Sequence, residues 1–380
     1  MVLSANDPLY RQCTLSVMDN IADPNIHFDE KGICNYYYEY KQAEKKFVFR
    51  GKDAQARLDQ LVTQLKSSGA GRKYDCMLGV SGGVDSTFLA LKAKQLGLRV
   101  LCVHFDNGWD SELAVKNIEN IVSRLNFDLY TYVIDWEEFK DIQLSYFKAN
   151  VIDIEAVNDI AIFLALDKIC AKYDLKYILD GRNIVTEQTI PYAWLNKDLG
   201  NMLNIHRKFG TRPLKTFPII GRFKKEIHSI RKSYSSVPLL NHIEYNKKQA
   251  KKEIMKVLEW KDYGGKHYES IFTRFYQGYI LPVKFHVDKR KSHLSNLIFS
   301  GQITRDEALE ELEKPIYPPE QLAIDKPFVL KKLGLTEKEF QDYLESEAVD
   351  HSYYGSYNRL SEDYPILKLF VPIKRLILRR

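Results

Sequence analysis

The chain has 380 residues but only five cysteines, at positions 13, 34, 76, 102 and 170, and no Cys-x-x-Cys pair anywhere. That spacing excludes a disulfide framework, and Cys76, Cys102 and Cys170 sit inside apolar segments, where reduced core thiols are expected. No apolar run reaches the roughly 18 residues that span a bilayer. The opening string MVLSANDPLYRQC lacks the apolar stretch of a secretory signal, so a cytoplasmic location without a transmembrane segment is expected. The common phosphate loop G-x-x-x-x-G-K-[ST] is missing as well; the nearest string, Gly264-Gly265-Lys266-His267, has neither the hydroxyl residue nor a strand before it. Charge is nearly balanced, with 56 basic and 50 acidic residues. Anionic small ligands suit that balance, and no nucleic-acid partner is called for. One basic cluster, Lys374, Arg375, Arg379 and Arg380 in PIKRLILRR, reads either as the solvated end of a terminal helix or as a docking helix.

What is present begins with YDCMLGVSGGVDSTFLALKAKQLG, residues 74 to 97. An apolar strand runs into two adjacent glycines and out into a helical pattern. Backbone amides at such a helix start, together with the helix dipole, make an anion site. Strand and helix signals then alternate: a helix to Leu96, a strand LRVLCVHFD, a helix carrying Val115, Ile118, Val122 and Leu125, a strand DLYTYVID, helical segments over 136–149 and 156–173, and a short strand KYILDG. This order predicts an α/β fold with a mostly parallel, doubly wound sheet. Ligands in such sheets bind at the carboxyl ends of strands. Three polar segments converge there: Ser81–Ser86, the run His104, Phe105, Asp106, Asn107, Gly108, Trp109, and the run from Asp180 through Gly181, Arg182 and Asn183 to Glu187. From about 222 the strand signal fades into lysine-rich helical segments with Lys224, Lys225, Lys247, Lys248, Lys251 and Lys252. The expected organisation is an N-terminal unit (1–50), an α/β domain (51–221) and a mainly helical domain (222–380).

S-G-G-V-D-S after a first strand resembles the PP-loop of the ATP pyrophosphatases, relatives of asparagine, GMP and NAD synthetases. Five further blocks, FDEKGIC, VHFDNGWDS, LDGRNIVTE, WKDYGGKHYESIFTRFYQGYILPVKF and DKRKSHLSNLIFSGQITRDEAL, resemble the N-acetyl sugar amidotransferases of surface-polysaccharide and nonulosonic-acid pathways. The resemblance implies that ATP adenylates the acetamido oxygen of an N-acetylated, nucleotide-linked sugar and that ammonia then displaces AMP, leaving an acetamidino group. It assigns Ser81, Gly82, Gly83, Val84, Asp85 and Ser86 to pyrophosphate, with His104, Gly181 and Asn183 also around ATP. Asp85, Ser86, Asp106 and Glu187 would serve the chemistry, and Asp85 and Glu187 would hold Mg²⁺. Asn107 and Trp109 would meet nucleotide or sugar; the alternative is a structural Asp-Asn-Gly turn with a buried tryptophan. Glu187 has its own alternative, an acid stabilised by a helix N-terminus.

The block from Tyr263 to Ser295 is dense in Lys266, His267, Arg274, Lys284, His286, Lys289, Arg290 and His293. Of these, Lys266, His267, Arg274, Lys289 and Arg290 are the candidates for a sugar nucleotide, with Tyr268, Phe275, Tyr276 and Tyr279 as packing surfaces. The alternative is that the aromatics form core and the charges pair internally with Glu269 and Asp288.

Members of the family commonly carry two Cys-x-x-Cys pairs near the N-terminus, read as a four-thiolate zinc ribbon. This chain has Cys13, Ser16, Cys34 and Tyr37 at those positions, with His27 nearby, so a degenerate ribbon without structural zinc is expected. No cysteine nucleophile with a partner histidine marks a glutaminase. The resemblance implies that ammonia comes from separate proteins similar to the glutaminase and cyclase subunits of imidazole glycerol phosphate synthase. Rival readings are a PP-loop sulfur transferase acting on tRNA, which needs reactive thiols, and a non-catalytic nucleotide sensor.

Overall fold

The computed structural model of the chain describes residues 7–219, 234–265 and 268–356. Two helices, α1 (Asn35–Phe47) and α2 (Gly51–Ser68), precede a repeating pattern of strand and helix: β1 (Cys76–Gly79), α3 (Val84–Gln95), β2 (Val100–Asp106), α4 (Glu112–Leu125), β3 (Asp128–Val133). Then come α5 (Trp136–Ala149), α6 (Ala156–Tyr173), β4 (Tyr177–Leu179), α7 (Ile184–Glu187), α8 (Leu199–Phe209) and β5 (Ser235–Val237). The five strands form one parallel sheet in the order β3-β2-β1-β4-β5. The chain therefore leaves β1 for β2 and β3 on one side, then crosses back to β4 and β5 on the other. The crevice at the carboxyl end of β1 is the topological switch point, where ligands of open α/β sheets bind.

The central position of β1 follows from its sequence. Cys76, Met77 and Leu78 point to both faces and are fully buried, as a strand covered on two sides requires. Helix α3 packs the same way: Phe88, Leu89, Ala90, Leu91 and Ala93 are buried between the sheet and helix Lys247–Leu258. The expected helices over 136–149 and 156–173 coincide with α5 and α6. A bond from Asn107 Nδ2 to Asn158 Oδ1 (2.8 Å) fixes the first turn of α6 at the carboxyl edge of the sheet.

Two expectations about organisation need correction. Strand β5 lies beyond residue 221, in a stretch where no strand was expected, and it completes the sheet by pairing Ile178 with Ser236. Helix Lys247–Leu258 also belongs to the sheet layer, because Ala250, Ile254 and Leu258 enter the core that contains Phe88 and Leu91. The mainly helical region begins after it, with helices Lys289–Phe299, Arg305–Glu313, Pro319–Leu333 and Glu337–Glu345. Lys224 and Lys225 lie outside the described residues, as does the basic cluster from Lys374 to Arg380.

At the N-terminus, antiparallel bridges Gln12–Asp19 and Phe28–Cys34 give a ribbon-like pair of turns. Cys13, Ser16 and Cys34 still converge: the Cys34 N–H donates to Cys13 Sγ (3.3 Å), and Ser16 Oγ lies 3.9 Å from Cys34 Sγ. Tyr37 stacks edge-on against Phe299 at 5.5 Å. Cys13, Met18, Tyr36 and Tyr40 share one core with Phe272, Phe275 and Phe299, so this unit is packed onto the later helices. Among the described residues, no helix is long and apolar enough to cross a membrane.

Candidate functional site

The loop between β1 and α3 is built from its own backbone. Gly82 has φ +78°, a left-handed conformation, and a Cβ there would lie 2.8 Å from the Ala114 carbonyl oxygen. Only glycine fits that turn. Gly83, the N-cap of α3, has no side chain to bond the helix's first amides, and the Val84 amide is met by the Tyr263 hydroxyl. The hydroxyls tie the loop together: Gly83 N–H donates to Ser81 Oγ (3.3 Å), Ser86 Oγ donates to the Gly83 carbonyl (3.2 Å), and the Ser81 and Ser86 hydroxyls lie 3.3 Å apart. Ser81 is exposed, while Asp85 and Ser86 are half-buried.

Four residues that the sequence reading did not place here hold the loop from outside. Trp260 Nε1 donates to the Gly82 carbonyl (2.7 Å). The buried Tyr245 phenol donates to Asp85 Oδ1. A side chain on Gly83 would meet the Tyr263 hydroxyl at 3.3 Å and Glu269 Oε1 at 3.5 Å. Burial, then the charges of Asp85 and Glu187, push the Tyr245 phenol far above its ordinary range, so it stays a proton donor. The Tyr263 phenol is raised in the same way, chiefly by burial and then by the charges of Glu269 and Asp85. Three of these residues, Trp260, Tyr263 and Glu269, fall within the conspicuous block WKDYGGKHYES; Tyr245 carried no local signal.

The third segment closes the other side. Asn183 is buried and caps α7, its Oδ1 accepting from the Thr186 N–H (2.9 Å) and hydroxyl (3.1 Å). Its Nδ2 donates to the Gly181 carbonyl (3.4 Å), so Asn183 shapes the wall of the turn. The turn brings Gly181 against α3, where a Cβ would lie 3.6 Å from the Ser86 amide nitrogen. Arg182 binds Asp180 (Nε to Oδ2, 2.7 Å), which also accepts from Ser236 Oγ (2.8 Å). The charge of Glu187 acts on both Arg182 and Tyr245.

The segment after β2 is a structural turn. Asp106 Oδ1 accepts from Gly108 N–H (2.8 Å), and Asn107 Oδ1 accepts from Trp109 N–H (3.0 Å). Trp109 is 1% exposed, donates to Gln143 Oε1 (3.0 Å) and packs on Trp136 and Phe272. A ring so enclosed cannot stack on a ligand, which corrects that expectation. His104 lies beneath the loop with both ring nitrogens bonded to protein, to the Val80 carbonyl (3.2 Å) and to Asp110 (3.1 Å), so it does not bind a nucleotide directly.

Two of the proposed substrate arginines are also internal. Arg274 forms a two-pronged pair with Asp325 (2.6 and 2.7 Å). Arg290 binds Asp288 (2.8 Å) and donates to the Glu311, Leu312 and Lys314 carbonyls at the end of helix Arg305–Glu313. Both guanidinium groups are committed, because a buried carboxylate or carbonyl end without a partner is costly. Lys284 likewise donates to the Tyr343 and Ser346 carbonyls, both at 2.6 Å. Lys289 remains half-buried above the Tyr276 ring, while Lys266 and His267 lie outside the described residues.

A phosphate chain fits this cradle: glycines where a Cβ would intrude, a helix N-terminus and hydroxyls at the rim. Among the described residues, no group of three or more His, Cys, Asp or Glu converges as a metal site.

Residues 269–368 match the family of the LPS biosynthesis protein WbpG-like, C-terminal domain. The uncharacterized protein MJ1599 of Methanocaldococcus jannaschii is 23% identical over 317 residues, covering 81% of this chain and 95% of that protein. A tRNA(Ile)-lysidine synthase of Chlamydia pneumoniae is 37% identical over 71 residues, 18% of this chain and 22% of its own length. Among solved structures, NMN synthetase from Francisella tularensis aligns with a TM-score of 0.38 at 14% identity, over 74% of this chain and 97% of that one. The NH3-dependent NAD synthetase of Campylobacter jejuni, solved with nitrate, aligns with a TM-score of 0.28 at 14% identity, over 36% of this chain and 59% of that one. The family-model match is confined to the C-terminal side of the chain, which there resembles the WbpG-like C-terminal domain.

Proposed function

We propose that this protein is an ATP-dependent, AMP-forming amidotransferase acting on the acetamido group of a nucleotide-linked N-acetyl sugar. The observation that carries this reading is the contact between its two halves: Glu269, the first residue of the WbpG-like domain, stands with Tyr263 against the backbone of Gly83 in the phosphate cradle. A domain tied to lipopolysaccharide synthesis thereby forms a wall of the ATP site.

An amide carbonyl is a poor electrophile with a poor leaving oxygen. The acetamido oxygen attacks the α-phosphorus of ATP, the bond to pyrophosphate breaks, and an O-adenylyl imidate forms. Ammonia adds to its carbon, AMP departs with the former amide oxygen, and proton loss leaves the amidine. The loop's task is to hold pyrophosphate and stabilise the charge that builds as it leaves. The N-terminus of α3 and the Ser81 and Ser86 hydroxyls are suited to that, while Tyr245 keeps the Asp85 carboxylate in one orientation. When bound, Mg²⁺ would neutralise charge on the phosphates beside Asp85 and Glu187. Nitrogen is proposed to arrive as ammonia from a separate glutaminase and its cyclase-like companion. All five cysteines are buried, and burial raises the Cys102 and Cys170 thiols to about 12, which does not suit a nucleophile at either position; Cys13 differs, its thiol lowered to about 5 by the hydrogen bond with Cys34.

A transfer-RNA substrate is the second reading, favoured by the 71-residue match to tRNA(Ile)-lysidine synthase. One experiment separates the two: AMP and pyrophosphate release from ATP, measured with ammonium chloride and a panel of nucleotide-linked acetamido sugars, or with bulk tRNA. Sugar-dependent AMP release with an acetamidino product supports the proposal. AMP release stimulated by tRNA alone would replace it.

A further inference from the structure

His104 takes no part in the chemistry above, yet its surroundings are unusual. It is 8% exposed and occupies the fifth position of β2. Its Nδ1 faces the Val80 carbonyl oxygen and its Nε2 faces Asp110 Oδ2. A carbonyl and a carboxylate are both acceptors, so the ring must donate from both nitrogens, and only the imidazolium does that. Burial works against the charge, but the hydrogen bond and charge of Asp110, the Val80 carbonyl and the charge of Asp106 outweigh it and raise the pKa above the ordinary histidine value.

The two acceptors belong to different parts of the site. Val80 immediately precedes Ser81, so its carbonyl fixes the peptide plane that feeds the phosphate loop. Asp110 sits in the turn stitched to the WbpG-like domain: Asp110 and Ser270 form an antiparallel bridge, Ser111 N–H donates to the Glu269 carbonyl (2.8 Å), and Ile271 N–H donates to the Trp109 carbonyl (2.8 Å). The imidazolium therefore ties the root of the loop to the segment that carries Glu269.

We propose that His104 is a positioning residue whose imidazolium, by bridging Val80 and Asp110, sets the phosphate loop for the triphosphate, so that ATP affinity depends on a proton held by a group that never touches ATP. This rests on the ATP reading given above. By linkage, bound phosphates raise the affinity of His104 for its proton, and the proton raises the affinity for ATP by the same factor. The charged groups acting on the ring are Asp110 and Asp106, and Lys332 from helix Pro319–Leu333 stands against the same turn. Lys332 donates to the Gly108 carbonyl, and burial lowers its ammonium while Asp106 and Asp110 oppose the change. A histidine raised in the folded state contributes fully below about pH 6.5 and loses its contribution as pH rises through the raised value.

The test uses the full chain. ATP with Mg²⁺ is titrated calorimetrically from pH 6 to 9.5, and the His104 ring is followed by NMR in the absence of ATP. Affinity relative to the His104→Asn variant, which cancels the titration of ATP itself, should fall about tenfold with rising pH, the equivalent of one unit of pKa shift between free and bound protein. The free-protein ring should titrate above 6.5, and Asp110→Asn should move both the ring and the affinity profile to lower pH. A wild-type profile parallel to that of His104→Asn, a ring titrating at or below 6.5, or an Asp110→Asn profile that does not move would each overturn the proposal. Absence of ATP binding at every pH would instead remove the ATP reading, and this inference with it.

Discussion

Three glycines within five residues provide a graded test of the phosphate loop. At Gly79, the last residue of β1, a Cβ meets nothing within 4 Å and φ is not positive, so Gly79→Ala should fold at least as stably as the parent, helped by lower chain entropy in the unfolded state. At Gly83 the methyl group would meet side-chain ends: Ser81 Oγ at 3.1 Å, the Tyr263 hydroxyl at 3.3 Å and Glu269 Oε1 at 3.5 Å. These can yield by a few tenths of an ångström, so Gly83→Ala should keep most of its stability while a methyl enters the cradle and weakens phosphate binding. At Gly82 two costs add. A left-handed φ costs a residue with a Cβ roughly 1–2 kcal/mol, and the nearest atom, the Ala114 carbonyl oxygen at 2.8 Å, is backbone of α4 and cannot rotate away. Forced backbone shifts of that kind cost a further ~1–3 kcal/mol, so Gly82→Ala should lose about 2–5 kcal/mol in all. Denaturant unfolding and ATP titration on the three variants give both numbers. The expected order of stability is Gly79→Ala, Gly83→Ala, Gly82→Ala from most to least stable, with ATP affinity reduced in the last two only. Equal stability for the Gly79 and Gly82 variants would refute the argument, since it would mean the loop does not hold this conformation.

Other expectations follow from single groups. Asp85→Asn and Ser86→Ala should leave the unfolding transition within about 1 kcal/mol of the parent, the usual worth of a single net hydrogen bond, while sugar-dependent pyrophosphate release falls by about a hundredfold or more; near-normal turnover in both would remove the loop from the chemistry. The isolated chain should use ammonium salts increasingly well as pH rises and free ammonia grows, and should consume glutamine only when a glutaminase is added; glutamine hydrolysis by the chain alone would contradict this. Burial raises Asp153 to about 6, whereas burial lowers His351, which accepts from the Asp153 N–H and donates to Asn201 Oδ1, to about 4. Between pH 4 and 6 the native state holds an extra proton on Asp153 and lacks one on His351, so their contributions to the pH dependence of stability oppose each other. Asp153→Asn should therefore give stability that rises with pH across that window more steeply than in the parent, measured by urea unfolding; an unchanged slope would show that Asp153 is not buried as described.

How much of this was legible in the sequence depends on whether the relevant contact is local. The loop from Ser81 to Ser86 was legible because strand, paired glycines and helix start are consecutive residues whose backbone needs specify one another. Helices α5 and α6 were legible for the same reason, through their apolar spacing. Strand β5 was not: Ser235–Val237 has three residues, two of them serine, and exists only because β4 offers it a parallel edge. Tyr245 and Trp260 reach the loop across 160 and 178 residues, which no local pattern records.

The arginines show a different limit. Arg274 and Arg290 stand in a block whose composition suits anion binding, and the same guanidinium geometry that would grip a diphosphate grips Asp325 or a helix's last carbonyls. Residue type specifies the chemistry of the partner and leaves open whether that partner is protein or ligand. Burial decides it here, because a carboxylate as enclosed as Asp325 cannot remain unpaired. On the proposed reading, a sugar diphosphate would find its positive charge at residues other than these two arginines. Besides Lys289, Arg182 is one candidate at the rim of the crevice: it is exposed, and its partner Asp180 is also held by Ser236, so the guanidinium can turn to a phosphate without stranding the carboxylate.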